Sequence, residues 1–271
     1  AFNSAHRDRK DDKMSYLNHN NITNRVGGTG VGSKAGQGIY TESSTAKFAI
    51  GEKLEFADGR VFRYGYTAAA ISAGLLVSQD LSATSLVDTD NAVIAAASGF
   101  SPAAGSLQFQ ATLGSVTKDQ YAGALLQVTT DVSAGVGEGI QYRIKSNSAT
   151  GTTTSGKVDF YLYDPIKVTL TTASDIAIVG SLWYNVMAAE MIGIGGANPI
   201  ISGVTPIAFT ANYYGWLQTA GICVIQADGA IAAGVPVQLS DAVGEIRDLG
   251  ISCYAADDNG YVGIVLTGVV P

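Results

Sequence analysis

The sequence predicts a mainly β protein with an extended N-terminal arm, and three observations carry that expectation. Runs of roughly five to eight residues alternate apolar and polar side chains, with Gly, Ser, Asn and Asp between them. Stretches periodic enough for long amphipathic helices are scarce. Charged residues make up only 14% of the chain, against about 25% in an average domain, while glycines number 33. With 46% apolar residues the chain is too rich in core-forming side chains for a disordered polymer. A low-charge, small-residue surface suits a β protein that packs against neighbours.

The first segment differs from the rest. Residues 1–25 hold both histidines, His6 and His19, with Arg7, Arg9, Lys10, Lys13 and Arg25 set against Asp8, Asp11 and Asp12. They therefore carry +2, although the whole chain carries −7. "GGTGVGSKAGQG" follows. Residues 1–36 are expected to form an extended arm and glycine-rich linker, of the kind that orders on a partner.

Next comes "KFAIGEKLEFADGRVFRYGYT", two alternating runs around a turn at Ala57-Asp58-Gly59. "SLQFQATLG", "GALLQVTT" and "DIAIVGSLWYNVM" read as further strands. "IQYRIKSN" and "KVDFYLYDP" flank the polar loop "SATGTTTSG", a hairpin signal. Two stretches read as short helices: "SATSLVDTDNAVIAAASG", near 84–98, and "NVMAAEM". After Ile207 the strands shorten and each ends at Asp-Gly, Gly or Asn-Gly. The domains expected are 37–162, β with that helix near 84–98, and 163–271, a C-terminal β domain.

One phrase occurs twice. Ala-Ile-x-Ala-Gly-x-x-Val stands at Ala70–Val77 and at Ala230–Val237. The Ile suits a core anchor, the Gly a turn or bulge that other residues resist, and the Val the start of a strand. Each copy follows an aromatic strand, "VFRYGY" or "YYGWLQT". Either a small β unit is duplicated, or an Ala/Gly-rich chain repeats itself by chance.

Function classes narrow by elimination. An acidic chain lacks the basic face that nucleic acid needs. No apolar run approaches the roughly 18 residues of a membrane span, and no signal peptide is visible. Cys223 and Cys253 read as small buried apolar residues, with a disulfide between them left open. Both histidines fall in the arm, where a rigid dry site for acid–base chemistry is not expected. "GGTGVG" lacks the Lys-Ser/Thr ending of a phosphate loop, so linker is the better reading. "GIGGAN" is likewise a loop. "DTD" (Asp88, Asp90) and "ADDNG" (Asp257, Asp258) match no complete calcium loop and read as solvated turn acids. The sequon at Asn21 matters only in a secreted chain. No catalytic residue, metal ligand or cofactor is therefore expected. Tyr213, Tyr214 and Trp216, with Trp183 and Tyr184 upstream, are aromatic candidates for strand core, oligomer interface or a carbohydrate platform.

"YYGWLQTAGICVIQADGAIAAGVPVQLSD" followed by "GYVGIVLTG" resembles the C-terminal part of capsid decoration, or cement, proteins of tailed bacteriophages. Gly59–Val77 and Tyr163–Val179 are similar to phage structural proteins as well, so the resemblance covers 59–77 and 163–271. It implies a β-sandwich or small tulip-like β-barrel body and trimers seated on the outside of the mature shell. It also implies an N-terminal arm that grips the major capsid protein. On that reading the protein is a non-enzymatic component of the virion, made in the host bacterial cytoplasm. The arm contacts would be Phe2 as an apolar anchor and Arg7, Arg9, Lys10 and Lys13 pairing with capsid acids. Tyr213, Tyr214 and Trp216 would be candidates for the oligomer interface. Three rivals stand beside it. A head fibre or carbohydrate-binding virion protein would use the aromatic cluster and the hairpin tip at Ser146–Gly156. The major capsid protein itself would need a long spine helix. An enzyme would need a constellation that the sequence does not offer.

Overall fold

The structure is a computed structural model and describes residues 33–34, 36–79, 87–93, 103–130, 137–150, 156–171, 174–190, 199–248 and 261–266. All of its regular elements are strands. Of the expected arm, residues 33–34 and 36 are described; β1 (Ser33–Lys34) pairs with β2 (Gln37–Gly38), which lies just beyond it. Phe2, Arg7, Arg9, Lys10 and Lys13 lie outside the described residues, as do Cys253, Asp257, Asp258 and the loops "GGTGVG" and "GIGGAN".

The expected strands form. β3 (Lys53–Glu55) and β4 (Val61–Tyr66) pair antiparallel across the turn at Asp58-Gly59. β5 (Leu76–Gln79) follows the first copy of the repeated phrase. β6 (Val87–Val93) falls where the helix near 84–98 was expected. It pairs antiparallel with β11 (Asp175–Val179), so this segment is a strand. β7 (Gln108–Thr112) and β8 (Leu125–Thr130) precede the expected hairpin, β9 (Gln141–Asn147) and β10 (Lys157–Leu162). β12 (Val186–Ala188) replaces the second expected helix. β13 (Ile201–Val204), β14 (Tyr214–Ala220), β15 (Pro236–Leu239), β16 (Ile246–Asp248) and β17 (Tyr261–Ile264) complete the order.

Pairing divides the chain differently from the boundary expected at 162/163. One six-stranded sheet runs β6-β11-β8-β9-β10-β7 and draws only on residues 87–179. Its inward face, from Phe109 and Leu126 to Phe160 and Ile178, is fully buried. The other six-stranded sheet runs β12-β5-β13-β14-β4-β3 and joins strands from both ends of the chain. Side chains alternate across it. Phe62, Tyr64 and Trp216 enter one core, while Val77, Val186 and Leu217 enter another on the opposite face. A three-stranded sheet, β16-β15-β17, adds a third core with Ile231, Val237, Leu239 and Ile246. The architecture is layered open sheets and not a closed barrel, so the barrel alternative falls.

The two copies of the repeated phrase have the same structure. The turn glycines are both left-handed, Gly74 at φ 76° and Gly234 at φ 82°. Gly74 donates to Thr205 O at 2.7 Å and Gly234 to Val265 O at 2.8 Å. Thr67 and Ala227 form parallel bridges to Val186 and Ile246. Those two residues also pair antiparallel with Gln79 and Leu239. On the other flank Gly203 faces Val77, and Gly263 faces Val237, next to a register irregularity in each pair. So β12-β5-β13 and β16-β15-β17 are one module built twice. In the second copy the connection from the central strand β15 to its neighbour β16 is the turn Ser240–Glu245. In the first, the whole 87–179 sheet is inserted at that point. Such an insertion is tolerated because the strand ends it joins are already close together.

Candidate functional site

The aromatic residues singled out in the sequence lie at the β4–β14 pair. Tyr214 faces Tyr66, Gly215 faces Gly65 and Trp216 faces Tyr64. Alternation sends Tyr64 and Trp216 to one side, where they meet edge to face with centroids 5.1 Å apart. Phe48 closes over both, at 5.3 and 5.2 Å. Their polar tips converge on one side chain and its backbone. Tyr64 Oη donates to Gln37 Oε1 at 2.7 Å, and Trp216 Nε1 donates to Gln37 O at 3.2 Å. Gln37 Nε2 in turn donates to the carbonyls of Thr41 and Tyr214. Gln37 is thus the polar plug of an otherwise apolar core. Removal from water pushes the Tyr64 hydroxyl up to about 12.

Trp216 has no exposed surface. It is a core residue of its own chain, which removes it from the proposed oligomer contact and from a carbohydrate platform. Gly215 has a packing reason of its own. A Cβ there would sit 2.2 Å from the Phe209 ring, so only glycine lets that ring close on β14.

A second group of rings is half-buried. Tyr66 stacks on Tyr184 at 5.0 Å and leans on Tyr214 at 4.8 Å. Tyr66 Oη donates to Asn212 Oδ1 at 2.9 Å, and Asn212 itself is left-handed at φ 64°. Burial raises all three hydroxyls, Tyr184 furthest. Tyr213 is also half-buried. Trp183 is tied down from both sides: its Nε1 donates to Ser202 O at 3.1 Å, and the Arg63 guanidinium lies over its ring at 5.0 Å. The start of the expected hairpin tip is held too, since Thr150 bonds Gly114 O and the Val116 backbone.

Beside β14 lies a shallow groove of about 380 Å³, lined by Tyr40, Arg60, Pro206, Gln218, Ile222 and Val224 among others. Arg60 is paired with Asp58 at 2.7 Å, and burial pushes the Cys223 thiol up, away from the reactive thiolate. The groove offers apolar walls and backbone groups, suited to an extended segment rather than to proton transfer. Carboxylates elsewhere serve the fold: Glu42 accepts from Thr210 N and Oγ1, and Asp228 accepts from Ser240 Oγ. Among the described residues no three His, Cys, Asp or Glu side chains gather as a metal site.

The sequence did not single out this groove. Its signal was the Ile222–Gln226 stretch, apolar at successive positions and directly upstream of the second phrase. Comparison of the chain with family models, curated proteins and solved structures gives no match.

Proposed function

We propose that the protein is a structural, non-enzymatic virion component. In this reading it binds the outside of a mature tailed-phage capsid as a decoration or cement protein, as trimers, and stabilises the expanded shell. The observation that carries the reading is the kind of body these residues build. Its tightly packed strand modules hold their polar groups for internal bonding, while apolar side chains such as Ile222 and Val224 stay outside. The stretch on which the resemblance rests contains the paired aromatic strands and both modules. Selective binding to the expanded shell would stabilise that state by linkage. The arm, with Phe2, Arg7, Arg9, Lys10 and Lys13, would supply contacts to the major capsid protein. Three arms on one trimer would add through effective concentration.

Co-sedimentation with expanded, undecorated heads tests this. Full-length protein should bind saturably, and a chain lacking residues 1–25 should not. Binding that is unchanged by the deletion would remove the arm from the account. No binding by folded full-length protein would overturn the cement reading.

The half-buried trio Tyr66, Tyr184 and Tyr214 favours one second reading, a head fibre or carbohydrate-binding virion protein on the host surface. A glycan-array signal lost in Tyr184→Ala would support it. Trp216→Ala is the wrong probe, because it opens the core.

A further inference from the structure

The two modules differ in what flanks them. In the first, β14 lies between β13 and β4 and pairs with both. In the second, β17 corresponds to β13, and Ile222–Gln226 corresponds to the Phe62–Tyr66 part of β4. Among the described residues β17 is an edge strand, and Ile222–Gln226 belongs to no sheet. The residues on these two rims are apolar and open to solvent. Ile222 is 72% exposed, Val224 88%, Ile264 57% and Leu266 64%. Ile222 and Val224 stand where the first module has Phe62 and Tyr64, residues of the strand that β14 pairs with. Cys223 and Ile225 point the other way, against the third core. The ends of this segment are tied down, since Ile222 O accepts from Gln218 Nε2 and Gln226 N donates to Gly74 O. Its middle, apolar on both faces and in no sheet, is a template for another strand.

We propose that this flank of the second module is a strand-acceptor site. Its occupant is the N-terminal segment, residues 1–32, of a second copy of this chain, added by β-augmentation. Three observations select that occupant. The equivalent place in the first module is filled by a strand of this same chain. The second module is acidic, with Asp228, Asp241, Glu245 and Asp248 against Arg247 alone, whereas residues 1–25 carry +2. The segment is also long enough, since fully extended it spans on the order of 100 Å. Arm-to-flank contacts of this kind are heterologous; they give a ring where the rotation between copies closes and an open filament where it does not. The inference goes beyond the cement reading and stands without it, because it concerns the free protein.

The test places a photoreactive benzophenone residue at Val224 of the full chain. Equal amounts of ¹⁵N-labelled and unlabelled chains are mixed, irradiated and mapped by mass spectrometry. The expected product joins position 224 of one chain to a peptide within residues 1–32 of another. In parallel, Val224→Asp in the full chain should weaken self-association at least tenfold with an unchanged circular-dichroism spectrum. A link within one chain, a link to any other segment, or no link at all would overturn the proposal. So would self-association that Val224→Asp leaves intact.

Discussion

The same strand-turn-strand phrase is built twice in this chain, with the same left-handed glycine, the same strand register and the same irregular pairing. The two surroundings are unlike. In the first module the strand leading into the phrase is sealed by β14 and β3, and its Tyr64 is wholly buried. In the second the equivalent residue is Val224, almost wholly exposed. Local sequence therefore sets the turn and the register, while burial is set by whichever strands arrive from elsewhere. A module that is closed within the chain provides stability. One left open at a flank provides a surface for association.

The largest expected contrast between the two is energetic. Trp216→Ala should cost about 3–5 kcal/mol, as for large aromatic truncations in cores. Val224→Ala should fall within about 0.5 kcal/mol, as for exposed sites. Urea unfolding of both variants checks the pair, and similar losses would erase the distinction.

The turn glycines sharpen the comparison. Alanine at either position must adopt a left-handed backbone, costing about 1–2 kcal/mol. A Cβ at Gly234 meets nothing within 4 Å, whereas one at Gly74 comes within 3.4 Å of Gln226 Cγ. That contact is of ordinary van der Waals length, so Gly74→Ala and Gly234→Ala should lower the thermal midpoint by similar amounts, as equivalent turns require.

Alkaline pH should act on the aromatic region around the first module. Tyr64 is neutral in the folded state until about 12, whereas an unfolded tyrosine ionises near its ordinary 10.0. A raised folded value means full stability below pH 10 and loss as pH rises towards 12, at up to about 1.4 kcal/mol per pH unit for that group. Tyr66, Tyr184 and Tyr214 shift in the same direction and add to the slope. Tyr64→Phe should flatten the fall between pH 10 and 12 in denaturation measured across that range.

Much of the fold was legible in the sequence because strand alternation and turn residues act locally. The Asp58-Gly59 turn and the β9–β10 hairpin needed only neighbouring residues. The two segments expected to be helices failed for a shared reason. Val87–Val93 and Val186–Ala188 contain or adjoin helix-favouring Ala and Met, but each is captured by a distant partner: Asp175–Val179 and Val77–Gln79, respectively. Strand pairing crosses the 162/163 position because an insertion places strand partners more than a hundred positions apart. For the candidate site, alternation in Tyr214-Gly215-Trp216 indicates which rings share a face. It does not indicate that Gln37, from the foot of the arm, seals that face and buries Trp216.

The most direct test of the duplicated module uses the second copy as its guide. Excising residues 80–179 leaves Gly180–Asn185 between Gln79 and Val186, the same length as Ser240–Glu245 between Leu239 and Ile246. If the inserted sheet interrupts a complete module, the shortened chain should still give a β spectrum and one cooperative thermal transition. An unfolded chain, or a transition with no cooperativity, would contradict the reading of one module built twice.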